Sequence, residues 1–424
     1  MYIIYQIFYV IYVLFYMLVF LFKGRKRQGI AMRFGAYPQE IENALSTKRN
    51  IWLHAVSVGE VMAAKPLADR IKKDLSQYTI VISTVTETGN ALAKKIMPKD
   101  SSVIYLPLDF SFAVGRVLRL VNPAAFIIME TEIWPNLIRA LHKNGVPIIL
   151  SNGRISQKSY KWYRLTKPLL KNILNCMTGF FMGTEEDAGR IISLGADRQK
   201  VIVAGNIKFD SAGFDIDKAR KESVIELLGL KDNKLIVAGS THPGEEEILL
   251  DVYKNLKHKH NDISLLIAPR HIERAGEIAE TIKCYGFTPV KMFGLTHKPA
   301  AANPVFILDA IGELKLFYSI AWVVFTGGSL VKHGGQNMIE PAFFGKPVIF
   351  GPHVFNFKDV ACALMDKKAA ITVKDKNSLL EAIEKLYKDR AFYEETGKNA
   401  KDTVLANQGS AAKTIEQLKL LLQY

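Results

Sequence analysis

The stretch from Gly327 to Phe357, GGSLVKHGGQNMIEPAFFGKPVIFGPHVFNF, determines how we interpret the rest of the chain. The apolar run Ala321 to Thr326 precedes the first glycine pair and predicts a buried strand, and Pro347 to Phe350 predicts another. Between them the glycines predict a loop, and Gln336 to Phe344 predicts a short helix that Pro341 limits or bends. Strand, glycine-rich loop, helix and strand form the unit that holds a phosphate group in α/β proteins.

Two side chains of the predicted helix indicate a nucleotide. Asn337 and Glu340 are three residues apart, so they share one face near the helix N-terminus. A carboxylate in that position can accept hydrogen bonds from two ribose hydroxyls. The alternative is a glutamate that only complements the helix dipole, and the local pattern leaves both interpretations open.

Composition predicts an anionic partner. The 424 residues carry a net charge of +15, from 56 basic and 41 acidic side chains. Nucleic acid, an acidic membrane surface and a phosphorylated lipid would all suit this charge.

A hydrophobic content of 49% argues against disorder. Cys176, Cys284 and Cys362 are far apart and form neither a disulfide framework nor a metal-ligand spacing, which indicates a reducing compartment.

The N-terminus favours the membrane among these partners. Met1 to Phe22 contains no charged residue and, as a helix of ~33 Å, is long enough to span a bilayer core. Lys23, Arg25, Lys26 and Arg27 follow it directly, whereas a secretory signal peptide carries its charge before the apolar run. Because positive flanks stay in the cytoplasm, we expect a single-pass anchor with the rest of the chain on the cytoplasmic side.

Beyond the anchor, continuous apolar runs alternate with amphipathic helical patterns, and the alternation restarts in the second half. This pattern predicts two doubly wound α/β halves, each with a parallel sheet covered on both faces. We expect them to be joined near Gly205 to Asp215 and to face a central cleft. The predicted domains are an anchor (1–22), a first Rossmann-like domain (30–205), a second (206–400) and a C-terminal helix (401–424).

Acidic and basic side chains follow the predicted strands of the first half. Glu60 falls in the first turn of the helix after the strand Ile51 to Val56, where the helix dipole favours a carboxylate and a general base is suited. The alternative is a helix-start carboxylate with no further role. Glu130 and Glu132 lie together at another strand end, and Lys208 follows a third, where it can neutralise a phosphate or a carboxylate.

Strand ends of the second half carry further polar loops. Ser240 to Glu245 is a small, hydroxyl-bearing loop that opens a helix and suits a phosphate. Pro269 and Arg270 end the next strand, and the planar guanidinium of Arg270 can bind phosphate. Ile311 to Glu313 follows a third strand, where Gly312 permits a close backbone approach. Each loop is ordinary by itself, and their clustering at successive strand ends indicates a ligand site.

One more segment suggests a membrane face. Arg154 to Lys171 contains six basic residues and no acid, beside Trp162 and two tyrosines, which suits a phospholipid surface; an ordinary solvated face is the alternative.

No P-loop, nucleophile elbow, His-Glu-x-x-His or Cys-x-x-Cys motif occurs. The only Asp-x-Asp pair, Asp215 and Asp217, falls in the linker, so we expect a mechanism without a metal.

Together, eight stretches resemble the 3-deoxy-D-manno-octulosonic acid (Kdo) transferases of lipid A assembly, which are inverting glycosyltransferases of the GT-B type. They follow the family's order across nearly the whole chain. The stretches are WLHAVSVGEV (52–61), IIMETEIWPNL (127–137), SNGRIS (151–156), GNIKFD (205–210), GSTHPGEE (239–246), APRH (268–271), IGEL (311–314) and GGSLVKHGGQNMIEPA (327–342).

This resemblance implies a donor, CMP-Kdo, bound mainly by the second half, and an acceptor, the lipid A precursor, at the anionic surface of the inner membrane, with no cofactor. Glu60 would take the proton from the acceptor hydroxyl, and Glu130 and Lys208 would stabilise the transition state. The residues implied to hold CMP are Pro269, Arg270, Ile311, Gly312, Glu313, Asn337, Met338, Ile339 and Glu340.

Other function classes stay open at this point. One is another GT-B nucleotide-sugar enzyme, such as an epimerase or a different sugar transferase, acting at the membrane surface. Another is a basic, membrane-anchored binding protein without catalysis. A nucleic-acid role has less support, because the chain carries no nucleic-acid-binding motif and its basic residues accompany an anchor.

Overall fold

The computed structural model describes residues 5–11, 13, 29–46, 49–211, 216–231 and 233–423. Contacts divide the chain into two compact units. The first takes in Met1–Ser211 together with Asn407–Tyr424, and the second takes in Ala212–Ala406. The end of the chain therefore belongs to the first unit.

The predicted anchor, residues 1–22, lies for most of its length outside the described residues, which include only 5–11 and 13 of it. Among the described residues, no helix combines the length and the apolar character needed to cross a bilayer. Two tyrosines of this segment contact the first unit. Tyr5 Oη donates a hydrogen bond to Asp109 Oδ2 (2.8 Å), and Tyr9 Oη accepts one from the Asp109 amide (2.9 Å).

A parallel sheet of seven strands forms the centre of the first unit. The strands are β1 (Asn50–His54), β2 (Thr79–Thr84), β3 (Ser102–Tyr105), β4 (Pro123–Met129), β5 (Ile148–Gly153), β6 (Gly179–Met182) and β7 (Val201–Val203). Their order is β3-β2-β1-β4-β5-β6-β7. Every residue of β1 and β4 is buried, as expected for parallel strands covered on both faces. The order reverses between β1 and β4, the switch point at which doubly wound sheets bind ligands.

Side chains of this sheet enter two separate cores, because successive residues of a strand point to opposite faces. Trp52 packs on one face with the helix Ser111–Val121. Its neighbour Ile51 packs on the other face with the helices Val58–Asp74 and Ser410–Leu422. The last helix of the chain thus completes a core that the first half of the chain begins.

The second unit repeats this architecture. Its strands are β8 (Lys234–Thr241), β9 (Ile263–Pro269), β10 (Thr288–Lys291), β11 (Pro304–Ile307), β12 (Val323–Thr326), β13 (Val348–Phe350) and β14 (Ala370–Thr372). They are parallel, in the order β10-β11-β9-β8-β12-β13-β14, and the switch point lies between β8 and β12. The predicted fold class, two doubly wound α/β units, is confirmed.

Helices cover both sheets. In the first unit they are Ile30–Arg33, Gln39–Ser46, Val58–Asp74, Glu87–Ile96, Ser111–Val121, Pro135–Lys143, Gln157–Leu165, Lys167–Leu174, Glu185–Leu194 and Ser410–Leu422, with 3-10 helices at Arg198–Lys200 and Ile207–Ser211. In the second unit they are Lys218–Leu227, Glu245–Lys259, Ala275–Cys284, Leu314–Ile320, Ile339–Phe343, Lys358–Asp366 and Lys376–Lys388, with a 3-10 helix at Ile272–Arg274. The helix Arg390–Asn407 reaches the boundary between the units.

The helix predicted from Gln336 to Phe344 is shorter than expected. It spans Ile339–Phe343 and begins three residues later than predicted. Asn337 explains the late start, because its side-chain Oδ1 accepts a hydrogen bond from the Ile339 amide (3.0 Å) and holds the preceding residues in a turn. Asn337 therefore precedes the helix on which Glu340 lies.

Replacing the buried Trp52 by alanine is expected to destabilise the first unit by about 3–5 kcal/mol, the usual effect of removing a large aromatic side chain from a core and leaving a cavity. The Trp52 ring packs edge-on against Phe126 at 4.8 Å, and its Nε1 donates to Ser83 Oγ (2.8 Å). Urea unfolding measures the effect. The matched control is the exposed Trp162→Ala, expected to change stability by less than about 0.5 kcal/mol; equal effects of the two substitutions would contradict the assigned core.

Candidate functional site

Glu60 follows β1 after a short loop and lies in the first turn of the helix Val58–Asp74. Its side chain turns back toward the strand end: Oε2 accepts a hydrogen bond from the Val56 amide (2.7 Å), and Oε1 accepts one from Ser57 Oγ (2.9 Å). Only 8% of the residue is exposed. Burial raises the pKa of Glu60 to about 7, with smaller increases from Glu130 and Glu132, although the two hydrogen bonds oppose this rise.

Two further carboxylates belong to the same surroundings. Glu130 follows β4, the strand next to β1, and has a left-handed backbone (φ 57°), which is uncommon for a residue with a side chain. Its amide donates to the Ser151 carbonyl (2.9 Å), so β5 supports this conformation. Burial and the charge of Glu130 together raise the pKa of Glu132 to about 6. The switch point therefore carries three mutually repelling acids, of which Glu132 had no role in the sequence analysis.

Lys208 lies on the 3-10 helix Ile207–Ser211 of the same unit. Asn152 of β5 accepts a hydrogen bond from the Ile207 amide through its side-chain Oδ1 (3.2 Å). Asp210 accepts bonds from the amides of Gly409 and Ala411 (2.5 Å each), at the start of the C-terminal helix. These contacts hold the backbone on both sides of Lys208, so the lysine projects from a fixed segment rather than from a free linker.

Glu245 organises the strand ends of the second unit. It is fully buried in the first turn of the helix after β8. Oε2 accepts from the amides of His242 (3.0 Å) and Gly328 (2.7 Å), and Oε1 accepts from those of Ser329 and Leu330 (3.0 Å each). These four amides are therefore not available to a phosphate, because they already bind a carboxylate of the protein; phosphate binding by the rest of the Ser240 to Glu245 loop stays a prediction.

The glycines of this loop also serve internal packing. A Cβ on Gly327 would lie 2.3 Å from the Ser240 carbonyl oxygen, and one on Gly351 would lie 2.2 Å from the Ser329 oxygen. Both distances are far below van der Waals contact, so glycine is required where these loops cross. Sequence alone cannot distinguish this need from the approach of a ligand.

A histidine cluster follows β8, β9 and β12. The rings of His242 and His333 stack with centroids 4.1 Å apart, and His271 approaches His242 edge-on at 6.3 Å. Gln336 Nε2 lies 3.1 Å from His242 Nε2. Burial lowers the pKa of His242 to about 4, and the neighbouring histidines and Arg270 add to this effect. His242 is therefore neutral at physiological pH. Sequence reasoning treated its loop only as a phosphate loop.

Arg270 follows β9 directly, and its amide donates to the Thr241 carbonyl (3.0 Å), which joins the ends of β8 and β9. The guanidinium is exposed and forms no ion pair with any residue that the structure describes. Pro269 is the last residue of β9 and is buried. Of this predicted pair, only Arg270 presents a charged side chain to solvent.

The loop Ile311 to Glu313 follows β11 and leads into the helix Leu314–Ile320. Ile311 is 83% exposed, and a Cβ on Gly312 (φ 90°) would contact nothing within 4 Å. Glu313 Oε2 pairs with Arg220 Nη2 at 2.5 Å. Ile311 and Glu313 also line a cavity of about 620 Å³ whose other walls include Phe293 and Phe317. The main chain of this loop therefore has open space at Gly312, and an apolar recess lies beside it.

The predicted residues around Glu340 fall into two groups. Asn337 hydrogen-bonds to Glu340, and Lys315 Nζ lies 3.9 Å from its Oε1; both lower the pKa of Glu340, but burial outweighs them and raises it. The side chains of Met338 and Ile339 are buried in the protein. Met338 and Ile339 are 0% and 1% exposed as whole residues, whereas Asn337 and Glu340 are partly exposed.

No group of three histidine, cysteine or acidic side chains suited to a metal ion occurs within the part of the chain that the structure describes. Cys176, Cys284 and Cys362 are free thiols.

Two family models match successive parts of the chain. One, described as 3-deoxy-D-manno-octulosonic-acid transferase (kdotransferase), matches residues 28–211. The other, described as glycosyl transferases group 1, matches residues 220–403. The first match falls in the unit that carries Glu60, and the second in the unit that carries Arg270 and Glu340.

Individual proteins show the same relationship. The 3-deoxy-D-manno-octulosonic acid transferase of Haemophilus influenzae is 34% identical over 400 residues, which cover 94% of this chain and 92% of its own. That of Chlamydophila psittaci is 31% identical over 381 residues, covering 88% and 86%. The UDP-GlcNAc 2-epimerase of Neisseria meningitidis, solved with UDP-GlcNAc, is similar in fold alone, with a TM-score of 0.52 at 13% identity over 87% of this chain and 99% of its own. The chain therefore belongs to the 3-deoxy-D-manno-octulosonic acid transferase family and is a glycosyltransferase.

Proposed function

We propose that this enzyme transfers Kdo from CMP-Kdo to the lipid A precursor (lipid IVA) in lipopolysaccharide biosynthesis, with inversion at the anomeric carbon and without a metal. The names of its relatives support the substrates. The observation that carries the mechanism is the buried carboxylate of Glu60, whose pKa is raised to about 7 at the switch point of the first sheet.

Glu60 is the proposed general base. An ionised carboxylate has about four lone-pair positions, and the bonds from Val56 and Ser57 occupy two of them. The remaining positions can accept the proton of an acceptor hydroxyl. A pKa of about 7 makes this carboxylate a stronger base than a solvated one while a large fraction stays ionised at neutral pH.

The proposed reaction is a single displacement. The deprotonated acceptor oxygen attacks the anomeric carbon of Kdo, and the bond to the CMP phosphate breaks on the opposite side, which inverts the configuration. Positive charge develops at the anomeric carbon and negative charge on the departing phosphate. In this proposal Glu130 and Lys208 stabilise the charges of the transition state, and Arg270 stabilises the leaving phosphate.

Donor binding is proposed for the loops after β9, β11 and β12. Pro269 and Arg270, Ile311 to Glu313, and Asn337 to Glu340 would hold CMP. The exposed guanidinium of Arg270 suits the phosphate, and the recess beside Ile311 suits an aromatic base. The side chains of Glu340 and Asn337 can form hydrogen bonds with ribose hydroxyls. Met338 and Ile339 are buried as whole residues, so they would contribute by holding Asn337 and Glu340 in place.

Attachment to the anionic inner-membrane surface is also part of the proposal, with residues 1–22 as a single-pass anchor and the two units on the cytoplasmic side. Support comes from the helix Gln157–Leu165, which contains no buried residue. Trp162 and Leu165 are exposed on it, among the basic residues of the Arg154 to Lys171 segment. Exposed apolar side chains surrounded by cations suit the interface of an acidic bilayer.

Glu60→Gln is expected to lower Kdo transfer by about 10²–10⁴-fold, the usual contribution of a general base, while CMP binding stays unchanged. Transfer is measured by mass spectrometry of the lipid product from CMP-Kdo and lipid IVA, and CMP binding by calorimetry. Glu185→Gln is the matched control, because Glu185 also lies in the first turn of a helix of the first unit but is exposed. No Kdo-bearing product from the unmodified chain would refute the proposed function, and full activity of Glu60→Gln would refute only the base.

Transfer is expected to rise with pH and to level off above a midpoint of about 7, because Glu60 must be deprotonated to accept a proton. Glu130→Gln is expected to move this midpoint to lower pH, since the charge of Glu130 raises the pKa of Glu60. The ratio kcat/KM, followed across pH, measures both, because it reports the pKa values of the free enzyme. A midpoint near the ordinary value of a solvated glutamate, or one that Glu130→Gln leaves in place, would contradict the proposed electrostatics.

Trp162→Ala combined with Leu165→Ala is expected to weaken binding to vesicles of phosphatidylglycerol and phosphatidylcholine by about tenfold, because two apolar anchors are lost. Vesicle co-sedimentation of the full chain measures this. Phe293→Ala with Phe355→Ala is the matched control: these side chains are 79% and 65% exposed, against 66% and 74% for Trp162 and Leu165. A similar loss in both double variants would show that the helix has no special membrane role.

A further inference from the structure

A large cavity lies at the edge of the first sheet opposite to Glu60 and Glu130. Its volume is about 1390 Å³. Pro123, the first residue of β4, and Val146, just before β5, line it and mark the amino-terminal ends of those strands. Glu60 and Glu130 follow the carboxyl ends of β1 and β4, which are parallel. The cavity is therefore separate from the site of the proposed base.

Basic side chains form much of its wall. Arg49, Arg119, Arg139 and Lys143 line it together with His142, and the described residues contribute no carboxylate to its lining. Arg49, Arg119 and Lys143 form no ion pair with a described residue. The positive charge is thus not neutralised by acids of the first unit that the structure describes.

Helix ends account for only part of this charge. Arg119 and Lys143 lie in the last turns of the helices Ser111–Val121 and Pro135–Lys143, where a cation complements the partial negative charge of the helix terminus. Each terminus supplies roughly half a negative charge, so two of them offset about one of the three unpaired cations. Arg49 belongs to neither helix. The remaining charge favours an anion.

Apolar side chains form another part of the wall, beside neutral polar residues such as Asn136 and Asn172. Val114 and Ile173 are buried within it, and Leu118 and Leu169 are half-buried. A small inorganic anion would leave this surface in contact with water. A ligand with an anionic head and an apolar portion would cover both parts of the wall, and hydrocarbon contact adds to its affinity.

We propose that this cavity binds a phosphate ester that carries an apolar group. The phosphate would contact Arg119 and Lys143, because guanidinium and ammonium groups form charge-assisted hydrogen bonds with phosphate oxygens. The apolar group would pack against Leu118 and Leu169. A membrane phospholipid and a water-soluble organic phosphate share this chemistry. The proposal goes beyond the transfer reaction and does not depend on it.

Cys176 provides a readout at the site itself. Its thiol lines the cavity and is half-buried, whereas Cys284 and Cys362 are exposed in the second unit and serve as internal references. The full chain in nonionic detergent is alkylated with N-ethylmaleimide, and the rate at each cysteine is followed by peptide mass spectrometry. Hexyl phosphate is expected to slow the alkylation of Cys176 several-fold and to leave the two reference cysteines unchanged.

Three probes distinguish the ligand classes. Hexyltrimethylammonium has the same chain with the opposite charge, and it is expected to give no protection. Protection by hexyl phosphate but not by glycerol 3-phosphate would support the proposal and assign a lipid source. Equal protection by both would overturn the proposal, because glycerol 3-phosphate carries no apolar group and gains nothing from the apolar part of the wall. No protection by either phosphate, or equal protection by hexyltrimethylammonium, would overturn the proposal.

Variants locate the contact. Arg119→Ala with Lys143→Ala is expected to raise the hexyl phosphate concentration needed for protection by about tenfold or more, because charge-assisted contacts are lost. Lys94→Ala with Lys95→Ala removes the same charge from an exposed helix outside the cavity and is expected to have no effect. An equal shift in both double variants would overturn the assignment. If the first variant does not fold, the comparison of probes on the unmodified chain decides.

Discussion

The second unit depends on the hydrogen bonds that four backbone amides donate to the buried carboxylate of Glu245. The amides come from His242, after β8, and from Gly328 to Leu330, after β12. These two strands border the switch point of the sheet, so one side chain joins the loops on both sides of it. A buried carboxylate without such donors would be very unfavourable, and buried amides without an acceptor would be costly too. The loop conformation is therefore set from within the protein.

Glu60 occupies the equivalent position in the first unit, and the difference in its hydrogen bonds explains why the two glutamates suit different roles. Both lie in the first helical turn after the strand on one side of the switch point. Glu245 uses about all four of its acceptor positions on backbone amides, which leaves none for a substrate. Glu60 uses two, and its neighbours Glu130 and Glu132 are acids that disfavour its ionised form. One position of the fold thus supports a structural carboxylate in one unit and, in the function proposed above, a proton acceptor in the other.

Sequence patterns were sufficient for the sheets, because parallel strands buried on both faces appear as continuous apolar runs. They also predicted that Glu60, Glu130 and Arg270 follow strand ends, since each comes within a few residues of such a run. Contacts that depend on the folded chain were not predictable. The late helix start at Ile339 follows from one side-chain bond of Asn337, and the occupation of the loop amides follows from Glu245, more than eighty positions earlier in the chain. The first contact spans only two residues, but spacing does not show which hydrogen bond an asparagine side chain makes; the second joins positions far apart in the chain.

The basic cavity was missed for the same reason, since its cations come from separate segments that only the fold brings together. Its position has an electrostatic consequence. Burial raises the pKa values of Glu60 and Glu132, and the mutual repulsion of the acids at the carboxyl edge of the first sheet adds to this rise. Cations placed beside them would lower those values and weaken Glu60 as a base. With Arg49, Arg119 and Lys143 at the opposite edge, the sheet separates the two charges, so the unit can carry a strongly basic surface and keep a carboxylate that accepts protons near neutral pH.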